Sequence, residues 1–284
     1  METNQAVKTA TSDRRRGLQL NPRDIKMLSA MEIWGVLGIG QMIGLGMTET
    51  LNETGQVERF FNTMDRADYM IGVAKRVHML EIAGYIQGHS FQRQPKAYTL
   101  TYTGRAAISD EPASERSDPR NFVSEALIKH DLKVSAVGLV LTQILGLPAR
   151  REHPQAVWTK SNGQGHLTLE GAADLWIETI LGPMAIEVEL TQKSRKRYAG
   201  IFDTYRRRFS DLGAGSALYL TGWPYGAATI LRNARKQRAP FVFVCALDEF
   251  RRTAGRCAFE GAVAGRTIIL PGREAAGITT EAGS

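Results

Sequence analysis

The hydrophobic positions along the chain follow a helical period in some stretches and a strand period in others. Near the N-terminus, Asn21 is a residue type that caps helices, and Pro22 suits the first helical position. Ile25, Leu28 and Met31 then recur at a spacing of three. This spacing predicts a helix whose inward face carries all three side chains.

The next stretch predicts two more helices and a β-hairpin. A short helix is expected around 39–43, and a longer one over about 66–83, where apolar residues recur at helical spacing. Two strands around a basic tip at 92–96 follow. Three helices and a hairpin are the order of a winged helix-turn-helix, so residues 20–108 are predicted to form a domain of that kind.

In such a domain the third helix enters the major groove of DNA, and the hairpin tip meets the backbone. We therefore predict a set of outward residues that contact DNA. On the helix they are Arg66, Tyr69, Lys75 and Arg76, and at the tip they are Arg93 and Lys96. Two alternatives stay open, an ordinary solvated helix face and a winged helix that binds another protein.

A change of composition separates this region from a second one. Residues 109–121 are acidic and contain Ser and Pro, which predicts a linker. The second domain is expected over 122–271, between a disordered basic arm at 1–19 and a flexible tail at 272–284. Helices and apolar strands alternate in it, which predicts an α/β sheet and an α+β protein overall.

The second domain is predicted to open with a helix over about 122–145. Leu127, Val134 and Val137 belong to its expected buried stripe. His130 and Asp131 lie inside this helix, and a structural hydrogen bond is the interpretation that we favour for them over catalysis.

Three carboxylates stand out in the middle of the second domain. Asp174 begins one apolar segment, a Gly-Pro turn follows, and Glu187 and Glu189 lie on the next segment. Paired segments of this kind predict a β-hairpin. Because side chains alternate along a strand, the two glutamates are expected on one face. Asp174, Glu187 and Glu189 are then candidate ligands of Mg²⁺ or Mn²⁺ and candidate catalytic residues, with Lys193 supplying positive charge.

A basic helix is predicted directly after this hairpin. It is expected over about 194–212, with an apolar stripe of Tyr198, Ile201 or Phe202, Tyr205 and Phe209. The rest of its surface is rich in positive charge, notably Arg195, Lys196, Arg206 and Arg207. These four residues are predicted to contact the DNA backbone. Solvated charge is the alternative for the helix, and an inactive, structural carboxylate cluster is the alternative for the hairpin.

The net charge agrees with an anionic partner. It is +7, with an isoelectric point near 9.5, which favours nucleic acid over a membrane surface. Cys245 and Cys257 have neither zinc-ligand spacing nor a disulfide framework, which is typical of the cytoplasm. No apolar run has the length of a membrane span, so no membrane is expected as a partner.

Several segments resemble the replication-relaxation family of plasmids and integrative elements, which is related to relaxases with a restriction-endonuclease-like fold. The resemblance covers roughly 20–250. Its most specific part is Glu187-Val-Glu-Leu-Thr-Gln-Lys193; Asp174-Leu-Trp-Ile and His130-Asp-Leu-Lys-Val also match. The chain departs from the nuclease pattern in having Ala173 where Pro is usual, and Glu189 where Lys is usual.

The resemblance implies a winged helix followed by a restriction-endonuclease-like domain in a protein that processes the DNA of a mobile element. Double-stranded DNA is then the expected partner. Replication or mobilisation proteins and a second copy of the chain, forming a homodimer, are further candidate partners. A non-catalytic DNA-binding regulator with a degenerate nuclease fold is the main alternative, and a protein-recruitment adaptor is a third.

Overall fold

Two sheets of unequal size, each flanked by helices, organise most of the protein. A computed structural model describes residues 18–46, 51–62, 71–90, 96–109, 127–151, 156–161, 164–169 and 173–272. Within these ranges the fold is α+β, with sheets of three, seven and two strands. None of the described helices combines the length and apolar content needed to cross a bilayer.

We call the described residues from 18 to 109 the N-terminal unit. It contains helices at the three places where the pattern of this region predicts them. Asn21 caps α1 and accepts a hydrogen bond from the Asp24 N–H, and Asp24 caps Asn21 in return. The elements are α1 (Pro22–Trp34), β1 (Leu37–Gly38), α2 (Ile39–Gly46), α3 (Glu53–Phe61), α4 (Ile71–Ile82), β2 (Ile86–His89), β3 (Ala97–Leu100) and α5 (Tyr102–Ala106). The three strands form an antiparallel sheet in the order β1-β3-β2.

The structure differs from the prediction in three places. Helix α3 was not predicted, because its sequence is short and mostly polar. Ile25 is exposed rather than inward, since a spacing of three drifts around a helix of 3.6 residues per turn. Leu18 packs against the core although the predicted basic arm includes it.

Several predicted features lie outside the described residues. They are residues 1–17 of the arm, 110–121 of the linker and 273–284 of the tail, and the DNA contacts Arg66, Tyr69 and Arg93.

The second unit, which we define as the described residues from 127 to 272, is built around the seven-stranded sheet. Its elements are α6 (Ile128–Leu139), which continues as a π-helical turn (Val140–Ile144), then β4 (Ala149–Arg151), β5 (Ala156–Ser161), β6 (Gln164–Leu169), β7 (Leu175–Thr179), β8 (Gly182–Glu189), α7 (Arg195–Asp211), β9 (Ser216–Thr221), α8 (Gly226–Lys236), β10 (Val242–Ala246), α9 (Leu247–Arg252), β11 (Ala258–Gly261) and β12 (Thr267–Ile269). Leu127, predicted to be buried, is 57% exposed because it stands at the N-cap of α6, ahead of the helical residues that form the buried face.

The large sheet has the order β12-β11-β10-β9-β8-β7-β4. Strands β8, β9 and β10 are parallel, and the remaining pairs are antiparallel. Helices α7 and α8 make the crossovers between the parallel strands, so the carboxyl ends of β8 and β9 meet at one edge. Chain segments that follow these two strands therefore lie side by side.

Each face of this sheet has its own core. Ile186 and Val188 point to the face covered by α6 and the N-terminal unit. Tyr219 points to the other face, where it packs with Tyr198 and Phe202 of α7. The apolar stripe predicted for the basic helix contributes its aromatic residues to this second core, because they recur at helical spacing.

The two units share one continuous hydrophobic core. Gly138 of α6 lies so close to the Trp34 ring that an added Cβ would stand 2.5 Å from it. Ser135 Oγ donates to Val36 O at 2.7 Å, and Gln41 Nε2 donates to Leu132 O at 2.7 Å. The two predicted domains are thus packed together through α6 and not only joined along the chain.

Candidate active site

The three predicted carboxylates come from neighbouring ends of β7 and β8. Asp174 lies directly before β7, and its Oδ2 accepts the Val188 N–H of β8 at 2.8 Å. This bond fixes Asp174 beside the strand that carries the two glutamates. The sequence prediction of a hairpin is confirmed, with Leu175 opposite Ile186 in the antiparallel ladder.

Glu187 and Glu189 lie on the sheet face that α7 covers. The Tyr205 hydroxyl of α7 donates to Glu187 Oε1, and the Lys193 ammonium forms an ion pair with Glu189. The Lys193 ammonium thus lies beside the carboxylates, as the sequence predicts. We call these four residues, together with Asp174, the carboxylate pocket. Its carboxylates are largely buried, and Glu189 is among the buried charged residues of the protein.

Negative charge is crowded in the carboxylate pocket. Burial, and then the charge of Asp174, raise the pKa of Glu187 to about 8, although the Tyr205 hydrogen bond acts in the opposite direction. Burial also raises the pKa of Glu189, and the ion pair with Lys193 offsets part of that rise. A perturbed carboxyl group of this kind is typical of catalytic and metal-binding sites.

A tyrosine hydroxyl with no partner faces the same pocket. Tyr219 lies opposite Glu187 in the β8–β9 ladder, so the two side chains share a face. Its hydroxyl is buried and has no hydrogen-bond partner among the described residues. Burial and the charges of Glu187 and Glu189 raise its pKa well above the ordinary value. A buried hydroxyl without a partner is costly, so a water or ligand oxygen is expected to complete it.

His130 approaches Asp174 from α6, on the opposite side of the sheet. Its Nε2 lies 3.2 Å from Asp174 Oδ2 and 2.9 Å from Val188 O. Burial lowers the pKa of His130, but the hydrogen bond and the charge of Asp174 outweigh it, so the pKa is raised. The structural hydrogen bond expected for His130 is present, and it is made to a residue of the pocket.

Asp131, its neighbour, is engaged elsewhere. It forms an ion pair with Arg151, whose guanidinium also donates to Trp34 O at 2.6 Å. His130 and Asp131 are adjacent in α6 but have different partners, and of the two only His130 contacts the carboxylate pocket.

Sequence reasoning missed the polar role of the tyrosines in this site. Helical spacing places Tyr198 and Tyr205 in a predicted apolar stripe, and Tyr219 lies in a predicted buried strand, so no polar role is expected for them. The available signal was the choice of tyrosine over phenylalanine on elements that flank the glutamate strand. Burial raises the pKa of Tyr198 to about 12, and its hydroxyl accepts the Lys193 N–H at 3.4 Å.

The residues predicted to contact DNA have different surroundings. Arg195, Lys196, Arg206 and Arg207 are exposed along α7, as is Lys75 on α4. Arg206 is paired with Asp203 and donates to Gln237 O at 2.7 Å. The exposed start of α7 comes directly after Lys193, so positive charge lies beside the carboxylate pocket.

Two predicted DNA contacts of the N-terminal unit have partners within the protein. The Arg76 guanidinium binds both oxygens of the fully buried Asp24 and donates to Gln19 O. The Lys96 ammonium lies 2.8 Å from Glu81 Oε2. Arg76 therefore does not face outward as predicted, because a buried carboxylate holds it against α1.

The carboxylate pocket has the donor chemistry of a site for a hard divalent cation, which prefers carboxylate oxygens. The unpartnered Tyr219 hydroxyl also fits a site that receives a further oxygen. Within the part of the chain that the structure describes, no group of three or more His, Cys, Asp or Glu side chains is arranged to hold a metal ion. Each carboxylate instead engages a partner of the protein itself.

Comparison of the chain with protein-family models, curated proteins and solved structures found no match. The resemblance to the replication-relaxation family therefore stays a prediction.

Proposed function

We propose that the protein binds DNA and cuts one of its strands at the carboxylate pocket with the help of a divalent metal ion. The observation that carries this proposal is the convergence of Asp174, Glu187 and Glu189 at the adjoining ends of β7 and β8. Crowded, desolvated carboxylates are unfavourable by themselves, and a cation is the ligand that relieves them.

The arrangement of elements supports the nuclease interpretation. Asp174 lies directly before β7 and Glu187 lies on the next strand, β8, so the two acids have the placement that the carboxylate hairpin predicts. The hairpin is followed by α7 and by β9, which pairs in parallel with β8.

The N-terminal unit supports the DNA-binding half of the proposal. Helix α4 directly precedes the β2–β3 hairpin, and β1 completes a three-stranded sheet, as expected for a winged helix-turn-helix. Its exposed Lys75 and the exposed start of α7 offer positive charge to a phosphate backbone.

The chain's own residues have distinct tasks in this proposal. Asp174 and Glu187 would hold the cation, and Tyr205 orients Glu187 through its hydroxyl. A bound divalent cation would lower the pKa of a water and polarise the scissile phosphate. Lys193, positioned by Glu189, neutralises charge that develops on the phosphate. His130 keeps Asp174 in place from the opposite side and can carry a proton there.

A non-catalytic DNA-binding regulator is the second candidate. One observation favours it: Lys193 and Glu189 already neutralise each other, and each remaining carboxylate has an internal hydrogen bond. A pocket satisfied in this way can be purely structural.

Nicking of supercoiled plasmid distinguishes the two candidates. We expect nicked circles with Mg²⁺ or Mn²⁺, no nicking with EDTA, and loss of nicking in Glu187→Ala. Glu260→Ala is the matched control, because Glu260 is an exposed carboxylate whose nearest cation is Arg235 on α8. DNA binding without nicking under either metal would favour the regulator, and nicking by purified Glu187→Ala would contradict the site assignment.

A further inference from the structure

Tyr225 is the most exposed large apolar side chain described in the protein, and it has an unfavourable backbone conformation. It follows β9 and directly precedes α8, with φ 61° and ψ 10°. Its side chain is 86% exposed. Residues other than glycine seldom adopt left-handed backbone angles, and a bulky aromatic residue does so least readily. Such strain is found where a side chain has to be presented in a fixed direction.

The loop that carries Tyr225 is hydrogen-bonded to β8, the strand that carries the two glutamates of the carboxylate pocket. Gly222 N donates to Glu189 O at 2.8 Å, and Thr221 lies opposite Glu189 in the parallel ladder. Paired residues of a parallel ladder share a face, so the Thr221 side chain points to the side of the sheet where the Glu189 carboxylate lies.

The loop then turns back onto that same face. An added Cβ at Gly226 would stand 2.7 Å from Thr221 Cβ, so the start of α8 touches Thr221 directly. Tyr225 precedes Gly226 by one residue, about 3.8 Å between Cα atoms. Its exposed ring therefore lies near the carboxyl end of β8, which carries Glu189.

Positive charge lies at the same edge of the sheet. Helix α7 begins after Lys193, and its first turn carries the exposed Arg195, Lys196 and Arg197. Both parallel strands end at this edge, so the start of α7 and the Tyr225 loop both follow strand ends next to the pocket. A cationic surface near an exposed aromatic ring is a combination that binds single-stranded nucleic acid, through the backbone and through base stacking.

We propose that Tyr225 is a nucleic-acid-binding residue whose ring stacks on an unpaired base next to the phosphate held at the carboxylate pocket. This inference rests on the proposed function and deepens it, because it makes the substrate at the pocket a single strand or a locally opened duplex. Bases inside an intact duplex are already stacked on their neighbours and cannot cover the ring.

Four variants of the full-length protein test the proposal. Tyr225→Gly removes the ring and also relieves the left-handed strain, so it keeps the fold and is expected to unfold at the same or a higher temperature. Tyr225→Phe and Tyr225→Trp keep an aromatic face. Tyr102→Ala is the control, since Tyr102 is another exposed tyrosine, in α5 of the N-terminal unit.

Binding is measured by fluorescence anisotropy with fluorescein-labelled oligothymidylate in EDTA, where no cleavage interferes. Tyr225→Gly is expected to weaken binding by about tenfold, and the Phe, Trp and control variants to stay within about twofold of the natural protein. Binding to a hairpin duplex should change little in Tyr225→Gly. The salt dependence should also stay the same, because stacking releases no counterions.

Two results would overturn the proposal. One is oligothymidylate binding by Tyr225→Gly within about twofold of the natural protein, and the other is an equal loss in Tyr225→Phe, which would implicate the hydroxyl rather than the ring. An equal loss on duplex would overturn the preference for an unpaired base. Ring-dependent binding without any nicking would leave this inference standing and refute the proposed function, so the two failures are distinguishable.

Discussion

The two units of this protein differ in how their charged side chains are paired with partners inside the protein. In the N-terminal unit the fully buried Asp24 is bound by Arg76, and the partly exposed Lys96 is bound by Glu81. In the second unit Asp174 and Glu187 crowd together, and the Tyr219 hydroxyl, which has no partner among the described residues, faces them. Breaking a buried ion pair is strongly destabilising, whereas crowded buried carboxylates lower stability by themselves and are typical of functional sites. The contrast supports the second unit as the place of the proposed site.

The largest effect is expected from breaking the compensated pair in the N-terminal unit. Asp24→Ala removes a buried carboxylate, leaves the Arg76 guanidinium without its charged partner and removes one half of the capping box of α1, the acceptor of the Asn21 N–H. We expect the free energy of unfolding to fall by about 3 kcal/mol. Urea denaturation followed by circular dichroism measures it, with the exposed Arg252→Ala as control. Equal effects of the two variants would show that the buried pair is no more important than a surface one.

In the carboxylate pocket, by contrast, we expect a substitution that removes charge to raise the free energy of unfolding. Between the ordinary pKa of 4.5 and about 8, folded Glu187 keeps a proton that the unfolded chain has lost, so stability falls as pH rises. Glu187→Gln removes this dependence. We expect it to raise the free energy of unfolding by about 2 kcal/mol at the upper end of this range and by little at the lower end.

Thermal denaturation across that pH range checks this prediction. The same variant should bind the activating metal more weakly if Glu187 is a ligand. A variant less stable than the natural protein at every pH would show that the Glu187 charge is compensated after all.

Substitutions of two tyrosines at the pocket form a matched pair, and the change in the free energy of unfolding that we expect from them is of intermediate size. Tyr205→Phe deletes a hydroxyl that donates to Glu187, so we expect a loss of about 1 kcal/mol. Tyr219→Phe deletes a hydroxyl that has no protein partner among the described residues, and it should leave stability unchanged or slightly raised. Urea denaturation of both variants measures the difference. A larger loss in Tyr219→Phe would reveal a partner for that hydroxyl.

The smallest effect is expected where charges meet between the units at the surface. Glu58 of α3 binds the Arg251 guanidinium of α9 through both oxygens, at 2.8 and 2.9 Å, and both side chains are exposed. A double-mutant cycle of Glu58→Ala and Arg251→Ala should give a coupling energy of about 0.5 kcal/mol, which salt reduces further. A coupling above that of the Asp24 pair would reverse our ranking of buried and exposed pairs.

Much of the fold was accessible from local sequence. The cap at Asn21, the hairpin around Gly182, and the stripe of α7 from Tyr198 to Phe209 were all predicted, and the structure confirms them. Helix α3 and the exposure of Ile25 and Leu127 were not predicted. Short polar helices and helix ends depend on neighbours that periodicity does not show.

The candidate site was accessible only in part. Glu187 and Glu189 share a strand, so their common face follows from the period of two. His130 was placed on a helix, but nothing in the sequence shows that it lies beside Asp174. The hydroxyl of Tyr205 became a polar group of the site only when α7 packed across β8.

Local sequence is enough to predict the local elements, the alternate placement of the two glutamates and the basic surface of α7, because each of these depends on residues close together in the chain. Only the tertiary structure shows which side chains become hydrogen-bond and ion-pair partners. Asp24 meets Arg76 across 52 residues, and His130 meets Val188 across 58. Such contacts depend on which faces pack together, and packing is set by the whole core rather than by any one segment.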